Sequence, residues 1–301
     1  MKKFLSVLMA GAMLFGVLTL AGCGDTTTDT GEDTTTTEDT TTTAEFTTVT
    51  EGVLTMSTNA AFPPYEMTDD TGAVVGIDAE IAAAIAEKLG LELEIDDMDF
   101  DGALAAPQSG KSDIVMAGVT VNEERQLVLD FSNTYANGVQ KVIVAEGSDI
   151  TMENLGEQQI GTQKGTTGNI LTTDEFGEDH VIAYDDAIAA VQALNNGQID
   201  CVVIDSAVAD NLVEANPGLT TLDTDYANEE YAIGVAKGNT ALLDAINTAL
   251  QELIDDGTVQ SIIDKYIPTD GTAADEAGTT DEAGATDEAG ATDGAEADTA
   301  A

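Results

Sequence analysis

Residues 76–95 read GIDAEIAAAIAEKLGLELEI. Ile77, Ile81, Ile85 and Leu89 recur at every fourth position, which lays one apolar stripe along a helical face, and Gly90 can end the helix without a Cβ penalty. Leu91 to Ile95 then switches to a short strand run. A helix that feeds directly into a strand is the unit of α/β architecture, and the alternation continues in both directions. Strand runs are expected at Val53 to Ser57, Leu91 to Ile95, Asp113 to Ala117, Lys141 to Ala145, Gln159 to Thr162, Val181 to Tyr184, Cys201 to Ile204 and Tyr231 to Ala236. Ile188, Val191 and Leu194 form a second helical stripe behind Asp185 and Asp186, which suit an N-cap and first turn. Leu242, Leu243, Ile246, Leu250, Leu253 and Ile254 form a third, after Asn239-Thr240 and before Gly257. Mostly parallel sheets follow from this order.

This pattern occupies about Glu51 to Thr269, and the flanks differ from it. Lys2 and Lys3 precede an apolar run from Phe4 to Leu20, and Leu20-Ala21-Gly22-Cys23 reads as a lipobox. Residues 1–23 are therefore expected to be a lipoprotein signal peptide, with Cys23 diacylated as the mature N-terminus; the run is short for a transmembrane span. Residues 24–50 read as a disordered tether: of the 18 residues from Thr26 to Thr43, 12 are Thr and 5 are acidic. As a flexible coil it would span roughly 30 Å. Asp-Glu-Ala-Gly recurs at 275, 281 and 287, with no apolar residue larger than Ala from Gly271 onward, so 270–301 reads as a disordered acidic tail and not as a β-helix. The expected location is the outer face of a bacterial cytoplasmic membrane.

With 57 Asp and Glu against 9 Lys and Arg, the 301-residue chain has a formal charge of −48. It repels phosphate backbones and anionic headgroups, so nucleic-acid binding and a basic membrane-surface patch are excluded. There is no Trp, one His (His180), one Arg (Arg125) and two Cys (Cys23 and Cys201). His/Cys zinc sites and disulfide frameworks are thereby removed, and no cofactor is expected. Asp97-x-Asp99-x-Asp101-Gly102 copies the first half of an EF-hand loop, but the twelfth position is Gln108 where a bidentate Glu is needed, so no metal is expected either. His180 reads as exposed and Cys201 as a buried free thiol.

In open α/β sheets ligands gather at the carboxyl ends of strands. Asp113 to Ala117 runs into Gly118-Val119-Thr120 and then Asn122-Glu123-Glu124-Arg125, a glycine turn and a helix start. Gln159 to Thr162 runs into Gln163-Lys164-Gly165-Thr166-Thr167-Gly168, whose free N–H groups suit an anion, although a plain turn reads the same. Cys201 to Ile204 ends in Asp205, a carboxylate that is either a ligand group or the N-cap of a helix from Ser206 to Val213. Arg125 is either a ligand cation or a surface ion pair with Glu123 or Asp130. A cation, an anion nest and a carboxylate together match the charges of an amino-acid zwitterion.

Thr58-Asn59-Ala60-Ala61-Phe62-Pro63-Pro64-Tyr65-Glu66, Gly76-Ile77-Asp78, Asp99-Phe100-Asp101-Gly102, Gln108-Ser109-Gly110-Lys111, Ala117-Gly118-Val119-Thr120, Glu124-Arg125 and Asp130-Phe131-Ser132 follow one another in an order that resembles the polar amino-acid substrate-binding proteins of bacterial ABC importers. Lys164-Gly165-Thr166-Thr167, Gly197-Gln198-Ile199-Asp200 and Asp256-Gly257-Thr258 continue the resemblance, which spans 53 to 268. It implies a two-lobed, type II periplasmic-binding-protein-like α/β fold hinged on two crossover strands, with lobe 1 over 51–139 and 233–269 and lobe 2 over 140–232. It implies a non-enzymatic, monomeric protein that hands a free L-amino acid to an importer permease. By position, Arg125 would grip the α-carboxylate, helped by an N–H at Thr167, with Gly118 and Thr120 holding the zwitterion. Asp205 would take the α-ammonium, and Phe62 and Phe100 would sandwich the side chain. Asn59 departs from the acid usual in binders of basic amino acids, which implies a polar neutral ligand. Pro107 departs from an uninterrupted helix. A sensing domain for a membrane receptor needs the same pocket; a dehydratase-like enzyme would need a further acid or base.

Overall fold

A computed structural model of the protein describes residues 46–223 and 225–268. The signal peptide with Cys23, the tether up to residue 45 and the acidic tail lie outside the described residues. The elements are β1 (Val53–Thr58), β2 (Ala61–Phe62), β3 (Glu66–Thr68), β4 (Val74–Val75), α1 (Ile77–Leu89), β5 (Glu92–Asp97), α2 (Phe100–Ala105), β6 (Ile114–Val115), β7 (Leu129–Ala145), β8 (Ile160–Gln163), α3 (Thr167–Phe176), β9 (Val181–Tyr184), α4 (Ala187–Asn195), β10 (Cys201–Asp205), α5 (Ser206–Ala215), β11 (Leu219–Thr221), β12 (Ala227–Ala236), α6 (Thr240–Asp255) and α7 (Thr258–Tyr266). Arg125–Leu127 and Met152–Glu157 are 3₁₀ turns.

The α1 stripe is buried at Ile77, Ile81 and Ile85, and Gly90 closes the helix in the left-handed region at φ 70. Asp186 caps α4 by accepting from the Ala189 N–H at 2.7 Å. The α4 stripe is displaced from the expected one: Ala187, Ala190, Val191 and Leu194 are buried while Ile188 is 42% exposed. Small alanines form that face, so the larger Ile188 misdirects the pattern. In α6, Leu242, Ile246, Leu250 and Leu253 are buried, whereas Ile254 lies at the exposed edge.

One sheet runs through the molecule in the order β5-β1-β6-β12-β7-β10-β8-β9, with β11 added on β7; β2, β3 and β4 form a small second sheet. Its two ends are parallel, β1 with β5 and β6, and β8 with β9 and β10. Its centre is antiparallel, since β12 pairs β6 and β7 and β7 pairs β10. The expectation of mostly parallel sheets therefore holds only at the ends. The 17-residue β7 and the 10-residue β12 are the two long strands that join the two lobes of this α/β fold. The first half of β7 was not expected as strand, because Ser132, Asn133, Thr134, Asn137 and Gly138 break any apolar run; pairing with β12 holds it extended.

The main apolar cluster includes Leu54, Met56, Ile81, Ile114, Ile246 and Leu250, and a second one, around Val142, Leu155, Ile160 and Val203, includes Cys201. Burial pushes the Cys201 thiol up to about 12, as expected of an inert core thiol. His180 is half-buried, against the expectation of exposure, with Nδ1 3.4 Å from the Gln158 carbonyl oxygen. The helix before Pro107 ends at Ala105; Ala106 keeps a helical backbone, but Pro107 supplies no N–H to continue the ladder, and a turn to Gly110 follows.

Candidate cleft site

The carboxyl ends of β6, β8 and β10 converge on a cleft between the lobes. Asn122 Oδ1 accepts the Arg125 N–H at 2.8 Å and sets up the turn that carries Arg125 inward. The guanidinium is buried, 6% exposed, and lies 5.3 Å from the Phe100 ring centre. Nη1 donates to the Thr120 carbonyl at 2.7 Å and Nη2 to the Gly165 carbonyl at 3.1 Å. No carboxylate among the described residues pairs with it; Asp130, the supposed surface partner, instead pairs with Lys237 at 2.7 Å. Burial lowers the Arg125 pKa, opposed by nearby Glu229, and a guanidinium still keeps its charge.

Asn59, Phe62, Phe100, Gly118, Thr120 and Thr167 also line the cleft. Gly118 is left-handed at φ 53, its N–H donates to Asp78 Oδ2 at 2.9 Å, and a Cβ there would sit 2.8 Å from Phe62 Cε1. Only glycine allows both the turn and the ring. Thr167 opens α3, which Thr166 caps, and the Thr167 hydroxyl donates across the cleft to Thr120 Oγ1 at 2.8 Å. The expected helix at Arg125 is only a 3₁₀ turn.

Asp205 is placed otherwise. It does not reach the cleft wall: Oδ1 accepts from the Ala207 and Val208 N–H groups as the cap of α5, and Oδ2 accepts from the Tyr231 hydroxyl at 2.9 Å. It stands behind Tyr231, and the helix-cap alternative describes its geometry. The wall acid on that side is Glu229, whose Oε2 is 2.8 Å from the same hydroxyl and whose Oε1 accepts from Gln140 Nε2 at 3.0 Å. One hydroxyl proton cannot bond two carboxylates at once, and burial pushes Asp205 up to about 6.

Glu66, Gln140, Gln163, Glu229 and Tyr231 line the cleft without having been singled out as site residues. Glu66 and Gln163 stand inside quoted motifs. Glu229 and Tyr231 carry a period-two signal, as alternate buried residues of one strand. Glu66 is fully buried beside Asp78; burial and then the Asp78 charge hold its pKa well above the usual carboxylate range. Asp78, bonded by the Gly118 N–H and by the Tyr135 hydroxyl at 2.7 Å, is itself pushed by burial to about 6. The EF-hand-like acids diverge: Asp97 accepts the Ala60 N–H, Asp99 caps α2, and Asp101 pairs with Lys164 across the cleft mouth.

Two lobes on a pair of crossing strands, closed over a cleft that holds one buried unpaired cation, define a two-lobed solute-binding protein. The chain belongs to the bacterial extracellular solute-binding proteins, family 3, which match residues 54–269. It is 29% identical to a probable histidine-binding protein of Neisseria gonorrhoeae over 91% of this chain and 98% of that one. It is 31% identical to the L-cystine-binding protein TcyJ of Escherichia coli K12, over 73% and 85% of the two chains. Among solved structures it resembles an ancestral arginine-binding protein bound to glutamine, 40% identical with a TM-score of 0.69, over 72% of this chain and 99% of that one.

Proposed function

We propose that this protein captures a free polar amino acid between its lobes and delivers it to an ABC importer, from a lipid anchor on Cys23 at the outer face of the cytoplasmic membrane. The observation that carries the reading is the Arg125 guanidinium. Two of its five N–H donors go to backbone carbonyls, and no carboxylate among the described residues pairs with the other three. A buried unpaired cation is costly, and an α-carboxylate offers the bidentate partner that its planar fork fits. Thr120 and the Thr167 N–H complete the carboxylate end, Phe62 and Phe100 take the side chain, and the Gly118 carbonyl with Glu229, backed by Asp205 through Tyr231, takes the α-ammonium. Asn59 closes the far end.

The lobe limits we assign are 51–139 with 233–269, and 140–232, which cut the sheet across β7 and β12. The names of the relatives, binding proteins for histidine, cystine and arginine, support an amino-acid ligand and a carrier over an enzyme. Calorimetric titration of the full chain with the common L-amino acids tests the reading. One saturating site per chain for a polar amino acid is expected, with melting temperature rising as ligand is added. Absence of heat and of any melting shift across the set would refute it.

A further inference from the structure

Arg125 and Glu229 carry opposite charges and are both buried on the wall of one cleft, yet they do not pair with each other. Two such charges attract strongly in a closed site, so each must be held by other groups. Arg125 is held by the Thr120 and Gly165 carbonyls. What holds Glu229 decides whether a zwitterion meets two separated ends.

Glu229 stands opposite Gly138 in the β7–β12 ladder, so no side chain directly across the ladder supports it. The space over Gly138 belongs to Tyr231 and Asp205: a Cβ there would lie 2.6 Å from the Tyr231 hydroxyl oxygen and 2.5 Å from Asp205 Oδ2. That hydroxyl has one proton and two carboxylates within reach, so its hold on Glu229 is divided.

Gln140 stands opposite Ala227, which makes it the diagonal neighbour of Glu229 on the same face of the ribbon. Its Nε2 donates to Glu229 Oε1 at 3.0 Å, the one hydrogen bond that this side chain makes among the described residues. Its Oε1 is buried without a partner, wedged where a Cβ on Gly168 would be only 2.5 Å away. Packing alone does not explain a buried amide with an orphan oxygen, because an apolar side chain would leave none. The undivided N–H on Glu229 does explain it.

We propose that Gln140 is a positioning residue of the amine end, which keeps the Glu229 carboxylate apart from Arg125 and aimed at the α-ammonium of the bound amino acid. The inference rests on the amino-acid reading of the cleft. Gln140 acts through Glu229, so its removal should weaken recognition of the amine specifically. A merely structural role would lower the affinity of every ligand in the same proportion.

The test pairs an amino acid with its des-amino analogue, which keeps the carboxylate and side chain and lacks the ammonium: histidine with imidazolepropionate, arginine with guanidinovalerate, glutamine with glutaramate. Calorimetry on the full chain identifies the pair whose amino acid binds most tightly. Wild type is expected to prefer that amino acid to its analogue by at least about thirtyfold. Gln140→Met, checked for a cooperative melting transition, should shrink this ratio at least about fivefold, and Gln140→Leu serves if the first variant does not fold. In a Glu229→Gln background the same substitution should change the ratio by less than about twofold, because the group that Gln140 aims is gone. A folded variant that weakens both ligands in proportion, or leaves both unchanged, overturns the inference while the amino-acid reading stands. So does an undiminished effect in the Glu229→Gln background, or a wild type that does not distinguish the pair. If wild type binds none of the common amino acids, the reading of the cleft falls and the inference with it.

Discussion

At the scale of one residue, Arg125 separates a binding protein from a scaffold. A surface arginine would give up about 0–1 kcal/mol of pairing on truncation, whereas a desolvated guanidinium holding a carboxylate gives up about 2–5 kcal/mol. Its burial and its lack of a carboxylate partner place it in the second case. Arg125→Ala is expected to weaken ligand binding by that larger amount, measured by calorimetry, with the far-ultraviolet spectrum unchanged. Arg125→Lys should recover little, since a point charge cannot reproduce the fork that holds the Thr120 and Gly165 carbonyls and the ligand together. A loss below about fivefold for the alanine variant would put Arg125 outside the binding machinery.

At the scale of elements, two junctions carry the site. The turn after β6 depends on Gly118, and a side chain there meets both an unfavourable φ and the Phe62 ring. Gly118→Ala should cost about 1–2 kcal/mol from backbone strain alone and should also displace Phe62, so both the denaturation midpoint and ligand affinity fall. The start of α5 depends on Asp205. Asp205→Asn keeps a good cap, whereas Asp205→Ala removes one worth about 1 kcal/mol and strips Tyr231 of an acceptor. Denaturant midpoints should rank wild type with Asp205→Asn and place Asp205→Ala clearly below. Equal midpoints for all three would mean that the cap contributes nothing.

At the scale of the whole molecule, polar links bridge the lobes: Asn59 with Gln163, Thr120 with Thr167, Arg125 with Gly165, and Asp101 with Lys164. Each is small, and the exposed Asp101 pair adds little in water. Acidity acts more broadly. Asp78 and Asp205 sit at about 6 when folded, against an ordinary 3.8, so between about pH 4 and 6 the native state binds more protons than the unfolded chain. Stability must therefore fall as pH rises through that window and increase on acidification from neutral pH toward about 5. Relief of self-repulsion from the −48 charge acts in the same direction. The thermal midpoint of unliganded protein is expected to rise by several degrees from pH 7.5 to pH 5, and Asp78→Asn should flatten that slope. A midpoint that falls over the same range would contradict the raised pKa of the buried Asp78 and Asp205.

The local pattern of the chain determined its elements. The Ile77–Leu89 helix with its glycine stop, the Asp186 cap and the apolar strand runs were legible because each rests on residues within a few positions of one another. So were Arg125 and the glycine turns that surround it. Ile188 and the polar first half of β7 were misread because their environment comes from partners remote in sequence, a face of alanines and the paired β12. The same limit governs the cleft. Asn59 meets Gln163 across 104 residues and Gln140 meets Glu229 across 89, and no sequence period encodes such pairs. Only the closed tertiary structure decided that Asp205 stands behind Tyr231, that the Asn59 amide is bonded to the Met98 carbonyl and to Gln163, and that Gln140 donates to Glu229. The physical reason is that periodicity reports which side of an element is buried, whereas the hydrogen bonding of a buried polar group depends on what the rest of the chain brings to it.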